Sequence, residues 1–226
     1  MPVRPLQDMM SRIGERQPAL SAGTSLGIGL AALVVVSFPV TWTFIRYFTT
    51  MAHEGSHAIM GSLTGFKITG VRLNMKDATG ATEVLGSGRG IPSLLIGYFG
   101  PSLFGLAAAK LISAGHIVAV LWLAMVLLVL LLGNVQNVFG ILTIVVAGYV
   151  IYVFARYGTV RNEVLAAYGI AWLLLLSGVR VVLMHWDKAS DGLKLSKLTQ
   201  IMPVVFARIW LLGALYAVFL GARLMM

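Results

Sequence analysis

Met51-Ala52-His53-Glu54-Gly55-Ser56-His57-Ala58 sets two histidines and a glutamate within a long apolar stretch, and the rest of the chain is read outward from it. The octapeptide contains the pattern His-Glu-x-x-His. On an α-helix, positions i and i+4 lie about 40° apart around the axis. His53 and His57 then project from one face, a turn apart, and can hold one metal ion. Glu54 lies about 100° from His53. From there it can reach a water activated by the metal without taking a ligand position. Zinc brings such a water to a pKa of about 7, and a carboxylate can then accept its proton.

The surrounding composition makes this cluster costly. Of 226 residues, 58% are hydrophobic and 11% charged, and the mean hydropathy is +0.90. A soluble domain is about 45–50% apolar and about 25% charged, and a disordered chain is polar and highly charged. Both classes are excluded, which leaves an all-α polytopic membrane protein. Ionisable residues in such a protein mark function by default. Cysteine is absent, so a metal must be held by the four histidines or by the eight Asp and Glu residues. The net charge of +9 is scattered along the chain. It points to loops beside anionic lipid headgroups, with the lipid bilayer as partner and no nucleic acid.

Each bilayer crossing needs about 20 apolar residues. Residues 1–21 form a polar N-terminal segment, and the apolar run that follows exceeds a signal-peptide core and reads as a retained anchor. The first span is expected over 23–45 and continues into a shorter buried helix over 48–64. Pro39 marks a kink, or, in a second reading, the split between two full crossings. Residues 66–90 change character. Strict alternation over 71–76 predicts a strand, 77–80 has turn chemistry, and 81–85 returns, giving a β-hairpin at the membrane surface. The glycine-rich 86–90 is a linker. Further spans are expected over 91–113, 115–132, 138–157, 164–186 and from 203 onward, separated by a polar stretch at 187–200. The total is about six spans, or seven if Pro39 divides two crossings. Basic residues divide almost evenly between the two sides, and Arg180 and Arg208 tip the hairpin toward the cytoplasm.

A catalytic zinc usually has three protein ligands and one water, so a third ligand is needed. Span parity puts the 133–137 loop and the 187–200 stretch on the side of the hairpin. It puts His116 and Glu163 on the opposite side, which removes them. Asp77 and Glu83 belong to a strand and its turn, where solvated carboxylates are ordinary. The third ligand is therefore expected at Asp191, where Gly192 lets backbone approach a neighbour, with His185 and Asp187 as reserves. Asn134 and Asn137, also on that side, are candidate substrate-binding residues.

Taken in order, HEGSHA, the hairpin, Gly97-Tyr98-Phe99-Gly100-Pro101-Ser102-Leu103 and Ser190-Asp191-Gly192 resemble the site-2 protease family of intramembrane zinc metalloproteases. The likeness is closest to the compact bacterial branch without a PDZ domain. It spans about residues 45–200, and Ser56 stands where the family usually has glycine. The resemblance implies that His53, His57 and Asp191 bind Zn2+ and that Glu54 is the catalytic base. It further implies a single membrane-embedded metalloprotease domain over 22–226, acting on membrane-protein substrates in a bacterial plasma membrane. Two other readings keep parts of this pattern: a metal-binding pseudoprotease that regulates a partner, and a small transporter.

Overall fold

The computed structural model describes residues 6–74, 79–84, 90–186 and 190–226. Among the described residues the order is α1 Leu6–Gly14, α2 Ala22–Ser37, α3 Pro39–Leu63, β1 Ile68–Leu73, β2 Gly80–Val84, α4 Ile91–Ser113, α5 Ile117–Leu132, α6 Val138–Tyr157, α7 Val160–Met184, α8 Ser190–Thr199 and α9 Pro203–Met225.

Ser21 opens α2 by accepting the Thr24 N–H on its hydroxyl at 3.3 Å, the usual N-cap contact. The helix stops at Phe38. Pro39 lacks an N–H, and its ring drives the preceding residue out of the α region. Phe38 accordingly sits at φ −75°, ψ 133°. Proline then fits the first position of α3, and the two helices meet at 101°. The break falls at Pro39 as expected, but the division differs. The expected span over 23–45 ends at Ser37, and the boundary expected near 46–48 lies inside α3, one continuous helix of 25 residues.

Helices α4, α6, α7 and α9 are each long and apolar enough to cross a bilayer, and α2 with α3 makes a broken fifth span. The sixth apolar segment, α5, has 16 residues, about 24 Å, which is less than a bilayer core of about 30 Å. It starts late because Gly115, at φ +83°, closes α4. There the N–H of His116 meets the Leu111 carbonyl and the N–H of Gly115 meets that of Ile112, both at 2.9 Å, in a Schellman motif. Large apolar side chains such as Leu30, Phe44, Val129, Val146, Leu212 and Phe219 are exposed, as on a surface that lipid covers. The architecture is an all-helical polytopic membrane fold with one small two-stranded sheet.

Small residues let α4, α7 and α9 approach closely. A Cβ on Gly105 would fall 2.8 Å from Leu175 Cγ, one on Gly178 would strike Ser102 Oγ, and one on Gly221 would strike Leu175. Between these helices lies a core of Ala109, Ile112, Tyr168, Trp172 and Leu175, into which Ile117 and Leu121 of α5 also pack. A second cluster, Leu94, Tyr98, Val182, Leu195, Phe206 and Trp210, seats α8 against α4, α7 and α9. The face of α3 that carries Ala52, Gly55 and Ile59 borders an apolar crevice of about 750 Å³ between α3, α5, α6 and α7.

Helix α3 ends in a second Schellman motif. Gly65 takes φ +82°, with Phe66 N–H on the Gly61 carbonyl at 2.9 Å and Gly65 N–H on that of Ser62 at 3.2 Å. The chain reverses directly into β1. Strands β1 and β2 are antiparallel, pairing Val71 with Thr82, Arg72 with Ala81 and Leu73 with Gly80, with an irregularity between Ile68 and Gly70. The expected strand over 71–76 thus begins earlier, and the expected turn at 77–80 lies in part outside the described residues, including Asp77. Alternation puts Val71, Leu73, Gly80 and Thr82 on one face of the hairpin. On the other face Arg72 pairs with Glu83 at 3.2 Å in the open.

The α5–α6 connection holds the outer edge of β1. Val71 donates its N–H to the Asn134 carbonyl at 2.8 Å and accepts the Gln136 N–H at 3.0 Å, which makes a parallel bridge to Val135. Gln136 Nε2 donates to the Thr69 carbonyl at 2.7 Å. Asn137 Nδ2 donates to the Leu73 carbonyl at 2.7 Å and its Oδ1 accepts the Leu73 N–H at 3.1 Å.

The polar N-terminal segment is ordered by specific contacts. Arg12 of α1 pairs with Glu163 at the start of α7 at 2.6 Å. Gln17 accepts the Val118 N–H at 3.0 Å and donates to the carbonyls of Arg12 and Glu15. The pairing accounts for a glutamate that is 1% exposed.

Candidate metal centre

His53 and His57 share a face of α3 as the helical period requires. His57 Nδ1 lies 2.6 Å from the Ser93 carbonyl of α4. A carbonyl can only accept, so Nδ1 carries the proton and Nε2 offers its lone pair. The Ser93 hydroxyl in turn donates to the His57 carbonyl at 3.2 Å. Ser56, between the two histidines, donates to the His53 carbonyl at 2.7 Å. Gly97, four residues after Ser93 on α4, lies flat against both rings. A Cβ there would fall into the His57 ring and 2.8 Å from His53 Cε1.

The third group arrives from α8. Asp191 Oδ2 lies 3.0 Å from His57 Nε2 and 3.2 Å from His53 Nε2, and the two Nε2 atoms are 3.0 Å apart. Asp191 and His57 are buried, while His53 is 15% exposed at its side chain. Burial would raise the Asp191 pKa, but the two imidazoles facing it more than offset this, and the carboxyl stays well below the usual carboxylate range. A lone pair on His57 Nε2 facing a carboxylate oxygen is repulsive unless a cation or an additional proton stands between them. Donors about 2.0–2.2 Å from a tetrahedral zinc stand roughly 3.3–3.6 Å from one another, slightly wider than the spacing here. The donor set therefore fits a small divalent ion, and these three residues form a group that could hold one.

Glu54 stands outside that group and is 3% exposed. Its Oε2 accepts the Thr82 hydroxyl of β2 at 2.6 Å. The backbone of Gly80 lies so close that a Cβ there would overlap the Glu54 side chain. Tyr98 closes another side. Its ring meets His53 edge-on with centroids 4.8 Å apart and stacks on Trp210 at 4.5 Å, while Trp210 donates its indole N–H to the Leu95 carbonyl at 2.8 Å.

The other candidates lie elsewhere. His185 donates Nδ1–H to the Val181 carbonyl at 2.9 Å, and its ring approaches Tyr98 at 6.3 Å. His116 precedes α5, Glu163 is paired with Arg12, and Glu83 with Arg72. Asp187, like Asp77, lies outside the described residues. Asn134 donates its side-chain amide to the Leu130 carbonyl at 2.9 Å, and Asn137 spends both ends of its amide on Leu73. Sequence reasoning missed Thr82, Ser93, Tyr98 and Trp210. Ser93 had one signal in the sequence: it stands a four-residue step before Gly97, Pro101, Gly105 and Ala109, which share one face of α4.

The fold and this centre define a multi-pass membrane protein with a buried His-His-Asp cluster beside a glutamate. A family model described as Peptidase M50B-like matches residues 26–221, and the chain belongs to that family, within the site-2 proteases. No curated protein and no solved structure gives a match.

Proposed function

We propose that this chain is a zinc-dependent intramembrane endopeptidase that hydrolyses peptide bonds of membrane-protein substrates. The convergence of His53 Nε2, His57 Nε2 and Asp191 Oδ2 within 3.0–3.2 Å carries the reading, and membership of a peptidase family supports it. In this proposal His53, His57 and Asp191 hold the zinc. When bound, zinc supplies Lewis acidity toward the scissile carbonyl and lowers the pKa of the attacking water. Glu54 takes a proton from that water as the new C–O bond forms. It delivers a proton to the amide nitrogen as the C–N bond breaks, leaving a carboxylic acid and an amine.

A helical substrate hides its carbonyls in backbone hydrogen bonds and must unwind locally before cleavage. An extended stretch can pair with a strand edge. Residues 134–136 hold the outer edge of β1 at Val71, so the edge proposed for the substrate is that of β2, whose strand partner among the described residues is β1 alone. Asn134 and Asn137 then serve the substrate through the hairpin edge they hold. Residues 22–226 are proposed as one membrane-embedded metalloprotease domain, with 1–21 as a separate segment. A bacterial plasma membrane is proposed as its location, on the resemblance to the compact bacterial branch.

The test uses purified full-length protein in proteoliposomes with a Leu/Ala transmembrane peptide broken by Gly-Pro and carrying a fluorophore–quencher pair. Wild type is expected to carry one zinc per chain and to cleave the probe. Glu54→Gln is expected to keep the zinc and lose cleavage. Protein that carries no zinc, or a Glu54→Gln variant that cleaves like wild type, rejects the proposal.

A further inference from the structure

We infer that Thr82 of the hairpin is a positioning residue for Glu54, so that the β-hairpin is part of the mechanism that aims the general base. The inference rests on the role proposed above for Glu54. The hydrogen bond from Thr82 Oγ1 to Glu54 Oε2 is 2.6 Å. That length lies in the range of a hydroxyl bonded to an ionised carboxylate, the stronger kind of hydrogen bond. Thr82 Oγ1 also lies 3.2 Å from the Glu54 backbone carbonyl, but a hydroxyl has one proton, and the shorter, charge-assisted partner takes it. Both residues are buried, so water does not compete for the bond.

The strand is built around this contact. On the inward face of the hairpin, β1 supplies Val71 and Leu73, which pack with Met51 and Leu131. Strand β2 supplies Gly80 and Thr82 on the same face, a residue without a side chain and a hydroxyl, and both meet Glu54. Gly80 leaves room for the carboxylate, and Thr82 binds it. As a β-branched residue on a strand, Thr82 has few rotamers to lose. Its height over α3 is set by the register that pairs it with Val71, and Val71 is pinned from behind by Asn134 and Gln136. Leu73, opposite Gly80, is clamped by Asn137. A line of backbone and side-chain contacts therefore runs from the α5–α6 connection through both strands to Glu54. With Oε2 held, Oε1 is the oxygen left to exchange protons.

The test compares Thr82→Val, which keeps shape and removes the donor, with Thr82→Ser, which keeps the donor. With the Gly-Pro-broken Leu/Ala probe, Thr82→Val is expected to lower kcat ~10–100-fold, the usual loss for an outer partner of a reacting group. KM and zinc content are expected to hold, and Thr82→Ser to recover most of the rate. A readout without substrate is the infrared carboxylate band of Glu54, isolated as wild type minus Glu54→Gln. It should shift in Thr82→Val and return in Thr82→Ser. If Thr82→Val does not fold, Thr82→Cys, similar in size with a weak S–H donor, takes its place with the same expected loss. A Thr82→Val enzyme as fast as wild type or faster, a serine variant as slow as valine, a change in KM alone, or an unmoved band overturns the inference. A Glu54→Gln variant that cleaves like wild type overturns the proposed function and this inference with it. Normal behaviour of Glu54→Gln beside an unaffected Thr82→Val overturns this inference alone.

Discussion

The Ser93 carbonyl accepts the Nδ1 proton of His57 at 2.6 Å, and this one contact decides which nitrogen of His57 faces Asp191. With Nδ1 committed, Nε2 is the only lone pair the ring can offer, and it points at His53 and Asp191. Outer partners of this kind fix the tautomer and ring orientation of a metal-binding histidine. His57→Ala, His53→Ala and Asp191→Ala are therefore each expected to abolish zinc co-purification. Elemental analysis of the purified variants, with Glu54→Gln as the zinc-retaining control, checks this.

Metal removal should weaken the fold. A ligand at about 100 times its Kd adds about 2.7 kcal/mol to the state that binds it, and here the ion would bridge α3 to α8 across buried like-natured donors. Chelation is expected to lower the thermal midpoint in detergent and zinc to restore it. In Asp191→Ala the midpoint should not respond to zinc.

Gly97→Ala tests how closely α4 presses on the two imidazoles. The added methyl would occupy space held by His57 and lie 2.8 Å from His53 Cε1. Overpacking of this kind costs about 1–3 kcal/mol, and the displaced rings can no longer meet Asp191 at one point. Zinc affinity is expected to fall by ~10-fold or more, measured by competition with a chromophoric chelator. Gly55→Ala, on the crevice face with open space around its Cβ position, should leave zinc affinity unchanged.

At the Arg12–Glu163 pair, Glu163→Ala would remove the carboxylate from a guanidinium whose side chain is 13% exposed. Breaking a buried ion pair from one side costs about 3–5 kcal/mol, whereas replacing both partners by apolar residues is often neutral or stabilising. Glu163→Ala is expected to lower the thermal midpoint, and the Arg12→Met/Glu163→Met double variant to regain it. Zinc content should not change in either, because neither residue belongs to the His53–His57–Asp191 group.

What could be read from the sequence is what depends on local periodicity. His53, Glu54 and His57 are related by one helical turn, Pro39 breaks the helix wherever it stands, and the alternation from Val71 to Leu73 carries into β1. Asp191 is remote, but counting crossings put it on the hairpin side, and the structure brings its carboxylate to both imidazoles. The contacts that escaped depend on register and packing. Thr82 reaches Glu54 through the register that pairs it with Val71, and that register is a long-range property of the hairpin. Helix α8 could not be read from hydropathy because, of its ten residues, Asp191, Gly192 and Leu195 are the buried ones. Likewise α5 looked like a full crossing until Gly115 and His116 were found to belong to the cap of α4.

His57 and Asp191 are separated by 134 positions, and this spacing has a consequence for biosynthesis. A ribosome has already translated helices α2 to α7 before it reaches the acidic donor, and of the His53–His57–Asp191 group the nascent chain until then owns only the pair of imidazoles. In the protease proposed here, the three-residue group therefore cannot close while α2 to α7 are being made, and hydrolysis has to wait for the synthesis of α8.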